Sequence, residues 1–128
     1  MRLLGIDYGS KRVGIALSDE AGEFAMPFIV LKNSRNLAKE ICDIAKENKV
    51  ETIILGESKD YKGKENAIHG ESLNLKKDLE EMSFKVIFEP EFMTSIQAER
   101  FQGKNDMLDA SAAALILQSF LDSQANKK

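Results

Sequence analysis

The sequence predicts an α/β fold in which three antiparallel strands lead into two parallel strands of one mixed five-stranded sheet, with helices on both faces. Two observations support this prediction. The amino-terminal residues 2–19 contain two strand-like runs around a glycine turn. Farther along, residues 53–55 and 86–88 form continuous apolar runs separated by a helix-like segment. Such runs are typical of strands that are covered on both faces at the centre of a parallel sheet.

The first three strands are predicted from alternation and from turn residues. Residues 3–8 and 13–18 form the first two strands, joined by a turn at Gly9. The third strand is expected over residues 27–31. Its start fits Pro27, because proline is tolerated where a strand begins.

The remaining elements follow from the spacing of apolar residues. A helix capped by Asn33 or Ser34 is expected to run to about residue 48. The later elements, in chain order, are a strand over 51–56, a loop over 57–64, a helix over 65–82, a strand over 86–88, a short helix over 94–102 and a helix over 106–123. We interpret residues 1–124 as a single domain and residues 125–128 as a frayed tail.

Composition restricts the class of protein. The chain has 128 residues, 43% hydrophobic and 30% charged, which suits one globular domain and argues against global disorder. Cys42 is the single cysteine, so no intramolecular disulfide forms, and we expect it in the core. No signal-peptide pattern and no apolar run of ~20 residues is present, so we expect a cytoplasmic protein outside the membrane. The net charge of −3 argues only weakly against nucleic-acid binding, which depends on local basic patches.

Asp7 is the first candidate for chemistry. It ends a buried strand, where a carboxylate is costly without a partner, and Lys11 and Arg12 follow in the turn. Gly14 keeps one side of the second strand open to a ligand or to another backbone. This hairpin alone fits an ordinary capping aspartate, a phosphate-binding turn of the sugar-kinase and actin ATPase group, or the first metal ligand of an RNase H-like nuclease. The ATPases need two such domains around a cleft, which 128 residues do not supply.

Further carboxylates follow later elements. Glu89 and Glu91 come after the last predicted strand, and Asp106 and Asp109 open the final helix on one face. The helix dipole also favours an aspartate at a helix start, which is the simpler role for Asp106. The small residues after Asp109 would let this helix pack closely on the sheet and bring Asp109 towards Asp7.

Four segments of the chain carry a family resemblance. They are DYGSKRVGIA at 7–16, ILG at 54–56, TSIQAER at 94–100 and DASAAALILQ at 109–118. With these segments the chain resembles the YqgF-type family of Holliday junction resolvases, which is also assigned to pre-16S rRNA processing. The resemblance covers nearly the whole chain and implies an RNase H-like fold. The first and last segments are specific in combination.

The resemblance implies a metal-dependent endonuclease that acts on structured RNA or branched DNA, in pre-16S rRNA 5′-end processing or in Holliday junction resolution. Asp7, Glu91 and Asp109 would be catalytic and would bind Mg²⁺ or Mn²⁺, ions that prefer hard oxygen ligands. The residues expected to contact nucleic acid are Lys11, Arg12, Lys62, Thr94, Ser95 and Arg100. We expect a monomer or weak homodimer whose partner is nucleic acid, including a ribosome precursor.

Two departures from the family pattern leave other functions open. Where the family has Asp-Glu-Arg-Leu-Thr, residues 90–94 read Pro-Glu-Phe-Met-Thr, so Glu91 is kept but the aspartate and arginine are absent. After Gly56 the chain has Glu-Ser instead of Leu-Pro. Loss of the arginine removes a bidentate phosphate partner. These departures leave open a catalytically degenerate nucleic-acid or ribosome-associated binding domain on the same fold. The first hairpin alone also leaves open a small nucleotide- or phosphate-binding domain.

Overall fold

A five-stranded sheet with the strand order β3-β2-β1-β4-β5 carries the helices of this protein. The computed structural model describes residues 2–9, 11–57, 67–90 and 106–125. The elements are β1 (Arg2–Tyr8), β2 (Arg12–Ser18), β3 (Ala25–Lys32), α1 (Leu37–Glu47), β4 (Val50–Glu57), α2 (Ala67–Glu81), β5 (Lys85–Pro90) and α3 (Asp106–Ala125). The first three strands pair antiparallel, and β1 pairs parallel with β4, as does β4 with β5. The predicted mixed sheet is confirmed.

Helices cover both faces of the sheet, because neighbouring residues of a strand point to opposite sides. On one face, Leu4 and Ile6 of β1 belong to a buried cluster with residues of α1 and α2. On the other face, Ala16 and Ile54 belong to a second cluster with residues of α3. Cys42 is buried in the first cluster and unbridged, as predicted.

Gly5 sets the distance between β1 and α3. A Cβ atom at position 5 would lie 2.8 Å from Leu117 Cβ and 3.0 Å from the Ala113 carbonyl oxygen. Both distances are shorter than ordinary van der Waals contacts, so only glycine lets the helix approach the strand this closely. The alanine-rich sequence around Ala113 has the same effect on the helix side. Close packing of the last helix was predicted from these small residues.

Two predicted boundaries are wrong. β3 begins at Ala25, so Pro27 is its third residue, not its first. An edge strand tolerates this proline, and the pairing with β2 shifts register there, between Ile15 and Ala16. The first helix begins at Leu37 with Asn36 at its N-cap position, so neither Asn33 nor Ser34 caps it. The side chain of Asn33 bonds to the Gly9 carbonyl instead.

Other differences are small. α3 continues through Ala125, two residues beyond its predicted end. The predicted loop over 57–64 lies outside the described residues from residue 58 on, and the predicted helix over 94–102 lies outside them entirely. Among the described helices, none is both long enough and apolar enough to span a membrane.

Candidate active site

Asp7 is buried near the carboxyl end of the central strand β1. Only 5% of its surface is exposed, and its partner across the antiparallel pair is Gly14. Since Gly5 faces α3 and side chains alternate along a strand, Asp7 also faces α3. The structure therefore places a buried carboxylate between the sheet and the last helix, close to the end of β1.

The direction of α3 along the sheet follows from two hydrogen bonds near the amino-terminal end of β1. The amide of Ala25 donates to Gln118 Oε1 at 2.9 Å, and the amide of Leu3 donates to Ser18 Oγ at 2.8 Å. Ala25 and Ser18 are paired residues of β3 and β2. The carboxyl-terminal half of α3 therefore lies over the start of β1, and its amino-terminal half extends towards the end of β1.

The backbone of Asp109 follows from this direction. Position 109 precedes Ala113 by one helical turn, about 6 Å along the helix axis. Asp7 follows Gly5 by about 7 Å along β1. Ala113 lies against Gly5, and α3 runs in the direction opposite to β1. Measured from this contact, positions 109 and 7 therefore both lie towards the carboxyl end of β1.

Glu89 shares a sheet row with Asp7. In the three parallel strands, Ile6 pairs with Leu55, and Leu55 pairs with Phe88, so these residues form one row across the sheet. The next row contains Asp7, Gly56 and Glu89. The preceding row belongs to the cluster under α1 and α2, and neighbouring residues of a strand point to opposite faces, so the Asp7 row faces α3. Two strand spacings, about 10 Å between Cα atoms, separate Asp7 from Glu89. Ser119 Oγ of α3 donates to Glu89 Oε2 at 2.9 Å, so this carboxylate also helps to hold α3 on the sheet.

Asn33 stabilises the turn that follows Asp7. Its Nδ2 donates to the Gly9 carbonyl at 2.8 Å, and its backbone amide donates to the Lys11 carbonyl at 3.0 Å. Gly9 is required here, because a Cβ atom would lie 2.5 Å from the Arg12 carbonyl oxygen. These contacts fix the backbone between the buried carboxylate and the exposed side chains of Lys11 and Arg12.

Tyr8 links the same turn to α2 on the opposite face of the sheet. Its hydroxyl donates to Glu71 Oε2 at 3.3 Å. Burial raises the pKa of Tyr8 above its ordinary value; the hydrogen bond with Asn33 opposes this effect and the negative charge of Glu71 adds to it. The neutral hydroxyl is therefore the stable form, and it ties the first turns of α2 to the end of β1.

The structure describes only part of the predicted site. Asp7 lies buried near the end of β1, and Lys11 and Arg12 are exposed at the turn that follows this strand. The backbone of Asp109 lies in α3. The predicted residues outside the described ranges are Lys62, Glu91, Thr94, Ser95 and Arg100. Among the described side chains, no three of histidine, cysteine, aspartate or glutamate lie close enough together to hold a metal ion.

Sequence reasoning missed the role of Asn33. It assigned this residue to a helix cap, although the side chain bonds to the first turn instead. The signal lies in the strand order: β3 pairs with β2, and Lys32 is opposite Arg12. The residue after the end of β3 must therefore lie beside the turn that precedes β2.

Comparisons with known proteins agree with this fold. The family model described as "RuvX: Holliday junction resolvase" matches residues 1–123. A protein of Endomicrobium trichonymphae named "Putative pre-16S rRNA nuclease" is 35% identical over 98% of this chain and 99% of its own length. A protein of the same name from Caldanaerobacter subterraneus subsp. tengcongensis is 33% identical over 98% of this chain and 99% of its own length.

Two solved structures share the fold at low sequence identity. RuvC of T. thermophilus, in complex with a Holliday junction substrate, matches with a TM-score of 0.63 at 16% identity, covering 98% of this chain and 96% of RuvC. The fowlpox virus Holliday junction resolvase matches with a TM-score of 0.59 at 15% identity, covering 97% of this chain and 99% of the viral protein. These matches confirm the predicted RNase H-like architecture of the sheet and helices.

Proposed function

Since the chain belongs to the RuvX family of Holliday junction resolvases, we propose that this nuclease is a metal-dependent endonuclease that hydrolyses phosphodiester bonds of structured nucleic acid. The observation that carries the proposal is the buried Asp7 at the end of β1, directly before a turn that exposes Lys11 and Arg12. Buried carboxylates are ordinarily hydrogen-bonded, paired with a cation or bound to a metal ion, and exposed cations close by in the chain attract phosphate.

The donor chemistry fits a divalent metal. Asp7, together with Glu91 and Asp109 in our proposal, would offer carboxylate oxygens, the ligands that Mg²⁺ and Mn²⁺ prefer. When bound, such ions lower the pKa of an attacking water and stabilise the leaving oxygen. The chain itself supplies rigidity at Asp7, because β1 is hydrogen-bonded on both sides, to β2 and to β4.

The first turn would bind and orient the phosphate backbone. Lys11 and Arg12 are exposed on a backbone that Asn33 holds by two hydrogen bonds. A fixed turn limits how far the positive charges can move from Asp7, so binding a phosphate there would also help to position the adjacent bond for attack. We propose that Lys62, Thr94, Ser95 and Arg100 extend this phosphate-binding surface.

Two substrates follow from the names of the relatives. The relatives named for pre-16S rRNA suggest processing of a ribosomal RNA precursor. We propose that this processing concerns the 5′ end of the precursor and takes place in the cytoplasm. The family description suggests four-way DNA junctions. Both substrates are branched or folded, and both offer phosphates on more than one strand. We propose that the enzyme recognises this branched or folded backbone.

The experiment compares the wild-type enzyme with Asp7→Asn on labelled substrates. These are a four-way DNA junction, a folded RNA spanning the 5′ end of pre-16S rRNA, and linear duplexes of the same sequences. Each is incubated with Mg²⁺, with Mn²⁺ and with EDTA. We expect cleavage of at least one structured substrate with metal, none with EDTA, and a loss of about a thousandfold or more in Asp7→Asn, which removes a metal ligand.

Asp78→Asn is the matched control, because Asp78 is an exposed aspartate of α2. Thermal unfolding should show that both variants fold. Undiminished cleavage by Asp7→Asn would exclude the proposed site. Tight binding of a structured substrate without cleavage under any metal condition would instead identify a catalytically degenerate binding domain.

A further inference from the structure

Positive charge is concentrated at the corner of the sheet beside the first turn. Residues 8–18, which include β2, and residues 24–39, which include β3, contain no acidic residue, although the net charge of the chain is −3. The cationic residues of these two segments, all exposed, are Lys11, Arg12, Lys32, Arg35 and Lys39. A local excess of positive charge in an acidic chain is typical of a surface that binds anions.

Arg12 and Lys32 lie directly opposite each other on neighbouring strands. Arg12 begins β2, Lys32 ends β3, and the two residues are paired in the antiparallel ladder. Paired residues of such strands have Cα atoms about 4.5–5.5 Å apart, with their side chains on the same face. The structure therefore places two exposed cationic side chains next to each other at the edge of the sheet.

This pair lies on the face of the sheet that contains Asp7. Asp7 pairs with Gly14, and Arg12 precedes Gly14 by two positions, so alternation puts all three residues on the face of α3. Val13, between Arg12 and Gly14, belongs to the cluster on the opposite face, as alternation requires. Because β2 runs antiparallel to β1, the step from Gly14 to Arg12 leads about 7 Å past Asp7, towards the carboxyl end of β1.

Two hydrogen bonds hold the end of β3 against the start of β2. The residue after Lys32 is Asn33, whose amide donates to the Lys11 carbonyl at 3.0 Å and whose Nδ2 donates to the Gly9 carbonyl at 2.8 Å. These bonds join the end of β3 to the turn that precedes Arg12. The backbones that carry Arg12 and Lys32 are therefore kept side by side.

The chemistry of this pair suits a phosphate. Like charges directly opposite each other on neighbouring strands repel, and an anion bound between them removes this repulsion. A guanidinium group can donate to two oxygens of one phosphate, and an ammonium group binds a further oxygen as a point charge. One phosphate between Arg12 and Lys32 would therefore contact both side chains.

We propose that Arg12 and Lys32 form a clamp that binds one backbone phosphate of the nucleic acid and directs the strand that passes Asp7 over the β3 edge of the sheet. Lys32 is then a positioning residue, in addition to the contacts predicted from the sequence. The inference rests on the proposed function, because it concerns the path of the substrate past the same site. It requires binding of the nucleic acid and does not require cleavage.

Binding measured without cleavage is the first test of the clamp. Fluorescence anisotropy of a labelled four-way DNA junction, in EDTA and at several salt concentrations, gives the affinity and its salt dependence. Lys32→Gln should weaken binding about fivefold or more and make the slope of log K against log salt less steep, by up to about one. Lys32→Arg keeps the charge and should bind within about twofold of the wild type.

Lys85→Gln is the matched control. Lys85 is also an exposed lysine of an outer strand of the described sheet, but it begins β5, at the end of the sheet far from Asp7. Its row contains Leu3, which packs in the cluster under α3, so Lys85 lies on the same face as Lys32. Both substitutions remove one positive charge, and only Lys32→Gln should change the affinity and the slope by the stated amounts.

A scan with neutral linkages tests whether the two side chains hold the same phosphate. Methylphosphonate, which lacks the negative charge, replaces single phosphates around the branch point of the junction. One such replacement should weaken binding by the wild type about fivefold or more. On the junction with that linkage, Lys32→Gln and Arg12→Gln should each cause no further loss, because the contact is already absent.

The outcomes separate the clamp from the proposed function. A single linkage at which both substitutions lose their effect establishes the clamp, whether or not the junction is cleaved when metal is present. If Lys32→Gln binds like the wild type, or if its effect persists at every modified linkage, the clamp is overturned even where cleavage depends on Asp7. Different linkages for Arg12 and Lys32 also overturn it. A wild-type chain that binds no junction overturns the clamp together with the proposed recognition of branched DNA.

Discussion

Asp7 of β1 and Glu89 of β5 face the same side of the sheet in one row, with only Gly56 of β4 between them. Ser119 of α3 already donates a hydrogen bond to Glu89. Replacing this carboxylate by an uncharged amide should preserve the hydrogen bond from Ser119, since the amide oxygen also accepts a hydrogen bond. Glu89 thus has a structural role, which makes it the natural comparison for the proposed ligand Glu91.

Glu91→Gln should reduce metal-dependent cleavage by about a hundredfold or more, because an amide binds a divalent ion less well than a carboxylate. Glu89→Gln should change cleavage less than about fivefold while keeping the bond from Ser119. Single-turnover cleavage over a Mn²⁺ titration measures both. If Glu89→Gln causes the larger loss, the ligand role belongs to Glu89 and not to Glu91.

Charge reversal at Lys11 and Arg12 should weaken binding of structured nucleic acid. If each contacts one phosphate, the slope of log K against log salt should fall by about two when both are reversed. Lys77→Glu, an exposed change on α2, serves as the control. Fluorescence anisotropy at several salt concentrations gives the slopes, and slopes equal to that of the wild type would contradict phosphate contacts at this turn.

Asn33→Ala should impair cleavage more than it impairs folding. The variant loses the 2.8 Å bond to the Gly9 carbonyl, so the turn beside Asp7 keeps only the backbone bond from position 33 to the Lys11 carbonyl and is held less firmly. Asn48→Ala is the matched control, because Asn48 Nδ2 also donates to a backbone carbonyl at 2.8 Å, at the end of α1. Each should cost about 1–2 kcal/mol of unfolding free energy in urea.

Only Asn33→Ala should also lower the single-turnover rate, by about tenfold or more, with little change in substrate affinity. Equal rates for the two variants would show that Asn33 stabilises the fold without positioning Asp7.

Gly5→Ala should destabilise the protein by about 1–3 kcal/mol or more, because the added methyl group meets Leu117 Cβ and the Ala113 carbonyl at 2.8 and 3.0 Å. Gly70→Ala offers the opposite case: no atom lies within 4 Å of its added Cβ, and the position is helical. That change should stabilise by about 0.5–1 kcal/mol. Urea unfolding of both variants checks the prediction, and a Gly5→Ala variant as stable as the wild type would contradict the close packing of α3.

The fold could be predicted from the sequence because its signals are local. Alternation in β1 and β2, and the continuous apolar run of β4, follow directly from the side on which each residue is buried. The burial of Asp7 follows in the same way. The predicted start of α1 was wrong: α1 begins at Leu37, and Asn33 bonds to Gly9, 24 positions earlier in the adjacent turn, instead of capping the helix.

The candidate site was harder to predict, since it depends on contacts between distant elements. The bond from Ser119 to Glu89 spans 30 positions and has no signature in residue spacing. The start of β3 was misplaced for a related reason: whether Pro27 can lie inside a strand depends on that strand being at the edge of the sheet. The roles of Glu91 and Asp109 stay predictions.

Neighbouring positions at the end of β1 belong to opposite sides of the molecule: Asp7 faces α3, and Tyr8 packs with the core under α1 and α2. An insertion or deletion of one residue within β1 would exchange them, exposing the core to a carboxylate and placing an aromatic ring where the carboxylate belongs. The length of β1 between Gly5 and Asp7 should therefore be invariant among relatives that retain activity. Turns elsewhere, such as that before β3, can change length without this consequence.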